Sequence, residues 1–134
     1  VLSRSICLSA DVNAAFDPLY PDVLVRSNAA KLNYGVCITK YTGARGKSGS
    51  NDASAEYLGQ IRSILDAAQV PWQIGEMGKV DAGGGGTVAM YIANLDVNTV
   101  DLGVPVLSMH APFEVVSKID VYAAHRAFLA TMLR

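Results

Sequence analysis

Apolar positions along the chain alternate between short β-type runs and longer stretches at helical spacing. Ile6-Cys7-Leu8, leading into Ala10-Asp11-Val12, reads as a buried strand that ends on a polar residue. Val36-Cys37-Ile38 is a second short strand, entered through Gly35. Between Tyr57 and Ala68 the apolar residues Tyr57, Leu58, Ile61, Ile64, Leu65 and Ala68 recur at helical intervals, with Ser54 or Asp52 available as the cap. Pro71 ends the connection, and Trp72 to Met77 reads as another strand. Beyond the Gly83–Gly86 run, a helix is expected from Thr87 to Leu95, with Val88, Tyr91, Ile92 and Leu95 on one face. Thr99–Leu102 and Val104–Met109 are strand material interrupted by Gly103 and Pro105. The last element is a helix opened by a capping box of Ser117 and Asp120. Its apolar stripe is Val121, Tyr122, His125, Phe128, Leu129, Met132 and Leu133. Strands alternating with helices of these lengths imply an α/β layer architecture, and the absence of repeats or linkers implies one domain over residues 1–134.

Composition changes this picture little. A chain of 134 residues, 51% hydrophobic and 17% charged, is long enough to bury a real core. A net charge of −1 argues against nucleic acid or an anionic membrane as a partner, because both require clustered Lys and Arg to replace condensed counterions. Lys40, Arg45 and Lys47 are the nearest approach to such a cluster. Cys7 and Cys37 lack CxxC spacing and sit in apolar surroundings, the pattern of reduced structural thiols in a cytoplasmic protein. No apolar run reaches the ~20 residues that span a bilayer. The chain opens on Val1, in the approach to a strand and without a signal-peptide pattern, as a piece of a longer polypeptide would.

Three clusters carry candidate chemistry. In Ser9-Ala10-Asp11-Val12-Asn13 a carboxylate directly follows a hydrophobic strand, and functional groups collect at strand carboxyl ends in α/β sheets. Asp11 either serves such a site or caps the following turn. His110 ends the apolar run Val104–Met109 ahead of Pro112 and is either a structural residue or a metal ligand, with Glu114 placed to orient it. His125, on the stripe of the last helix, reads as structural. The four glycines Gly83–Gly86 ahead of a helix let backbone approach a ligand and aim N–H groups at an anion. Gly86-Thr87 lacks the Lys of a phosphate-binding loop, so a nucleotide site is disfavoured.

In this order the clusters resemble the aminopeptidase I and aspartyl aminopeptidase family of metallopeptidases. The matching stretches are SADVNAAFDPLYPD at 9–22, GVCITKYTGARGKSGS at 35–50, GKVDAGGGGTVA at 78–89 and VPVLSMHAPFEV at 104–115. The resemblance implies a layered α/β/α zinc-peptidase-like catalytic domain, of which this chain is the C-terminal portion. It also implies two divalent metal ions, zinc in the first place, with cobalt or manganese as alternatives. Asp11 falls on the carboxylate ligand of one ion and His110 on the imidazole ligand of the other. The remaining ligands and the general-base Glu belong to family motifs preceding this segment, so the segment alone is expected to be inactive. Substrate contacts are expected at Gly84, Gly85, Met109 and Lys40.

Two positions depart from the aspartyl-specific pattern: Ala14 stands where those enzymes carry a His, and Thr39 where they carry a pocket Lys. That points to a neutral or broad preference. The implied partners are peptide substrates, the remainder of the catalytic domain and further copies of the chain in a homo-oligomer. The competing reading is a non-catalytic assembly or binding domain that keeps the peptidase fold. All of this requires the side chains of Asp11 and His110 to meet at one edge of the sheet.

Overall fold

The computed structural model describes residues 1–44, 51–79 and 81–133; Arg45, Lys47 and Val80 lie outside them. Nine strands and three helices follow in the order β1 (Ile6–Ser9), β2 (Asn13–Ala14), β3 (Val36–Thr39), β4 (Gly43–Ala44), α1 (Ala55–Ala67), β5 (Trp72–Ile74), β6 (Gly84–Gly85), α2 (Ala89–Ala93), β7 (Asn98–Gly103), β8 (Pro105–Leu107), β9 (Val115–Val116) and α3 (Lys118–Met132) among the described residues.

The central sheet has the order β1-β7-β3-β5. β1 runs parallel to β7, and β5 parallel to β3, while β3 and β7 are antiparallel. Register fixes what each face carries. Leu8 pairs with Val100, and Leu102 with Ile38, so one face is aliphatic. Ser9 and Thr39 both pair with Asp101, which gives the other face a polar row. The aliphatic face meets Tyr57, Ile61, Ile64 and Leu65 of α1 and the alanines 123, 124 and 127 of α3 in one core. On the opposite face lies the segment from Thr87 into α2, joined to the sheet by the Thr87–Asp101 hydrogen bond. The result is the α/β layer architecture that the alternation of elements implied, with helices on both faces as the resemblance implied.

α1 forms as its spacing predicts, and Ser54 rather than Asp52 caps it by accepting from the Tyr57 N–H at 3.2 Å. The other two helices depart from the pattern. α2 is shorter than expected and buries Ala89, leaving Val88, Tyr91 and Leu95 exposed. In α3 most of the large stripe is not buried: Phe128 packs partly against the core, but Tyr122 is 63% and Met132 82% exposed, while Asp120, Ala123, Ala124 and Ala127 face inward. Small side chains allow the helix axis to approach the sheet and α1 closely, which the larger ones on the stripe would prevent. His125 lies on this exposed side, its ring stacked on Tyr122 at 6.5 Å between centroids.

The expected capping box does not form either. Ser117 donates to Asn33 Oδ1, and the Asp120 carboxylate, fully buried, accepts from the Asn33 and Gly35 backbone N–H groups, each at 2.8 Å. It therefore anchors the approach to β3 instead of the start of its own helix.

Both cysteines are free thiols. Burial pushes the Cys37 thiol up to about 12, and Cys7, less buried, is also raised by desolvation and the charge of Asp101. A native-state thiol titration at pH 8 should therefore label Cys7 slowly and leave Cys37 untouched until the chain unfolds, since the thiolate is the reactive form. Labelling of Cys37 at the rate of an exposed cysteine would contradict the packing around β3.

Candidate functional site

Two parallel segments run out from the edge of the central sheet where β1 and β7 end. Asp11 and Val12 follow β1 and lead into β2; Val104 follows β7 and leads into β8. β2 and β8 then pair in parallel, Asn13 with Pro105 and Ala14 with Val106, and the Asn13 N–H donates to the Val104 carbonyl at 3.0 Å. Gly103 makes this approach possible. A Cβ there would lie 1.2 Å from the Asp11 carbonyl oxygen.

Asp11 is exposed at this edge, and its Oδ1 accepts from the Val12 N–H at 2.8 Å. Asp11 lines a crevice of about 240 Å³ together with Gly103, Val104 and Phe128. His110 lies in the loop joining β8 to β9, also exposed. Ser108 and His110 both adopt left-handed backbone, φ 57° and 67°, a conformation uncommon for residues with a Cβ. The loop is closed by Ala111 N–H to the Ser108 carbonyl at 2.9 Å and by His110 N–H to Glu114 Oε1 at 2.6 Å. Glu114 thus engages the backbone of His110, where the sequence suggested a hold on its imidazole. Asp11 precedes the β2–β8 ribbon, beside Gly103, and His110 follows it in the loop after β8. The described residues contain no group of three or more His, Cys, Asp or Glu able to hold a metal ion.

Next to this ribbon is a larger cleft of about 380 Å³. Ala14, Tyr20, Met77, Gly84, Ser108 and Met109 line it, with the carboxylate-bearing Asp17. Gly84 and Met109, far apart in sequence, are therefore brought together. Gly85 adjoins them, paired with Gly43 in the β4–β6 ribbon. The glycine run is needed here for backbone proximity: Gly84 has φ 106°, and a Cβ on Gly78 would lie 2.6 Å from the Gly84 nitrogen. Lys40 is held elsewhere. Its ammonium pairs with Asp52 and donates to the Ala53 carbonyl at 3.2 Å, and it is not among the residues lining the cleft. Thr39 is buried in the polar row of the sheet and cannot line the cleft either.

What sequence reasoning passed over is Asp101. Thr99–Leu102 looked like ordinary strand, yet a carboxylate in the middle of an apolar run is a costly placement and was itself the signal. Asp101 is 4% exposed, and its Oδ2 accepts from the Thr87 hydroxyl at 3.0 Å. Among the described residues, Asp101 Oδ1, Ser9 Oγ and Asn13 Oδ1 are buried without a hydrogen bond of good geometry. Burial raises the Asp101 carboxyl; the nearby hydroxyls of Ser9 and Thr87 pull it back, and the charge of Asp11 adds to the rise.

Residues 1–131 match the aminopeptidase I zinc metalloprotease (M18) family, and the chain belongs to that family. It is 50% identical over 129 residues to the "Probable M18 family aminopeptidase 1" of Clostridium acetobutylicum, covering 96% of this chain and 28% of that relative. The crystal structure of aminopeptidase I from C. acetobutylicum superposes with a TM-score of 0.92 at 49% identity, covering 96% of this chain and 28% of that one. The M18-family aminopeptidase from Thermotoga maritima gives a TM-score of 0.94 at 45% identity, covering 98% and 29%. The chain thus spans a little over a quarter of the length of these relatives.

Proposed function

We propose that this chain is the C-terminal portion of the catalytic domain of a di-metal aminopeptidase that removes N-terminal residues from peptides. The observation that carries the reading is the match to the M18 family over residues 1–131, which include both ligand-bearing motifs. Asp11 would supply an anionic oxygen to one ion and His110 a neutral nitrogen to the other, both acceptable to zinc. The donor set fits as far as it goes: both residues are exposed. A centre of two ions needs further ligands and a general-base Glu, which the remainder of the catalytic domain would bring, so this segment alone is inactive. When bound, such a metal pair acidifies a water and polarises the scissile carbonyl.

The chain's own residues would supply the wall that receives the substrate. The cleft between Ala14, Tyr20, Met77, Gly84 and Met109 is mostly apolar, and Asp17 is the one carboxylate-bearing residue among those described that line it. An acidic substrate side chain would meet like charge there, so a neutral N-terminal residue is favoured. Gly84, Gly85 and Met109 are the substrate contacts of this reading; Lys40, tied to Asp52, is a strut for the start of α1. The two free cysteines fit a cytosolic setting. The exposed apolar residues Phe113, Ile119, Tyr122 and Met132 fit burial against the rest of the domain or another copy in a homo-oligomer.

The test uses the complete protein that carries this chain. It should release neutral N-terminal residues from short peptides faster than acidic ones, and a chelator should abolish turnover. Asp11→Ala and His110→Ala should each lower kcat/KM at least ~100-fold, with a matching loss of bound zinc by elemental analysis. Full activity and full metal content in either variant would overturn the ligand assignment.

A further inference from the structure

The carboxylate of Asp101 is buried, and the proposed chemistry leaves it unused. It sits on β7, the central strand to which both β1 and β3 pair. Two groups meet it from different directions. Thr87, buried, donates its hydroxyl to Oδ2 at 3.0 Å, and the same oxygen of Thr87 accepts from the Ala89 N–H at 3.3 Å, closing the glycine run onto α2. Ser9, the last residue of β1 and two positions before Asp11, is the parallel register partner of Asp101 and is also buried. Asn13, two positions after Asp11, donates its amide to Thr39, the antiparallel partner of Asp101. One carboxylate therefore stands between the loop that forms the cleft and both flanks of the Asp11 segment.

We infer that Asp101 is a positioning residue for the peptidase reaction: through the Thr87 hydroxyl and its strand pairing with Ser9 it locks the glycine-run loop and the Asp11 segment into one shared geometry. A buried carboxylate is expensive, and removing the hydroxyl that serves it leaves an uncompensated acceptor beneath the site. The strain is relieved by movement of the segments it joins, and those are the segments that shape the cleft and present Asp11. This inference rests on the aminopeptidase reading for its consequence in catalysis, but not for the structural coupling.

The test compares Thr87→Val, which keeps shape and removes the hydroxyl, with Thr87→Ser, which keeps the hydroxyl, in the complete protein. Amide hydrogen exchange should quicken about tenfold or more in Thr87→Val at both Gly83–Ala89 and Ala10–Asn13, with Ile61 and Leu65 in α1 unchanged. Thr87→Ser should restore protection, and kcat/KM should fall about tenfold in Thr87→Val and return to within about threefold in Thr87→Ser. Faster exchange confined to Gly83–Ala89, or Thr87→Ser as impaired as Thr87→Val, would overturn the coupling. Should Thr87→Val fail to fold, Asp101→Asn is read by the same exchange experiment: quickening at both segments supports the inference and protection at either one defeats it. If the unsubstituted protein cleaves no peptide, the aminopeptidase reading fails, and the exchange arms still decide the role of Asp101.

Discussion

Replacing Gly103 with alanine should destabilise the fold by about 4 kcal/mol or more, among the largest costs of any single methyl group here. The added Cβ would lie 1.2 Å from the Asp11 carbonyl oxygen, 2.4 Å from its carbon and 3.2 Å from the Val12 nitrogen. These neighbours are backbone, not the movable end of a side chain, so the clash is relieved only by parting the segment after β1 from the end of β7. That costs ladder hydrogen bonds such as Asn13 N–H to Val104 as well as packing. The consequence reaches function, because the peptide that moves is that of Asp11. Equilibrium unfolding in guanidinium should show a lowered midpoint with an unchanged slope, and metal content should fall with it. A midpoint equal to that of the parent protein would mean that the two segments are not packed as described.

Asp120→Ala is expected to cost about 3 kcal/mol, the penalty of leaving two backbone N–H groups at Asn33 and Gly35 without their acceptor. The carboxylate is fully buried and both of its oxygens are used, so no solvent can take its place without opening α3 from the sheet. Asp120→Asn keeps one acceptor oxygen and should recover part of the loss. Ser117→Ala should be far milder, because Ser117 bonds Asn33 Oδ1 at an exposed position and not the helix start. Thermal or denaturant midpoints of the three variants check the order. If Asp120→Ala matches Ser117→Ala, the anchoring of the approach to β3 by α3 is disproved.

Local patterns carried the element positions because they report which backbone states a short window can adopt. The spacing Tyr57, Ile61, Ile64, Leu65 yielded α1 with its Ser54 cap, and Val36-Cys37-Ile38 yielded β3. The same patterns misjudged which side of α3 is buried. Amphipathicity reads the large apolar residues as inward, whereas close packing against a sheet selects Ala123, Ala124 and Ala127, and the Asp120 carboxylate found its partners in a distant loop. Nor does spacing reveal that Lys40 is bound to Asp52, or that Thr39 is turned into the sheet.

By itself the sequence determined the family, the α/β alternation, and Asp11, His110 and the glycine run as the residues to examine, since motifs and periodicity are written in adjacent residues. The tertiary structure alone decided that Gly84 and Met109 share one cleft, that Glu114 holds the backbone of His110, and that Asp101 lies between Thr87 and Ser9. Those facts depend on strand register and on which backbones can come into contact, and both are settled by long-range pairing that no local window encodes.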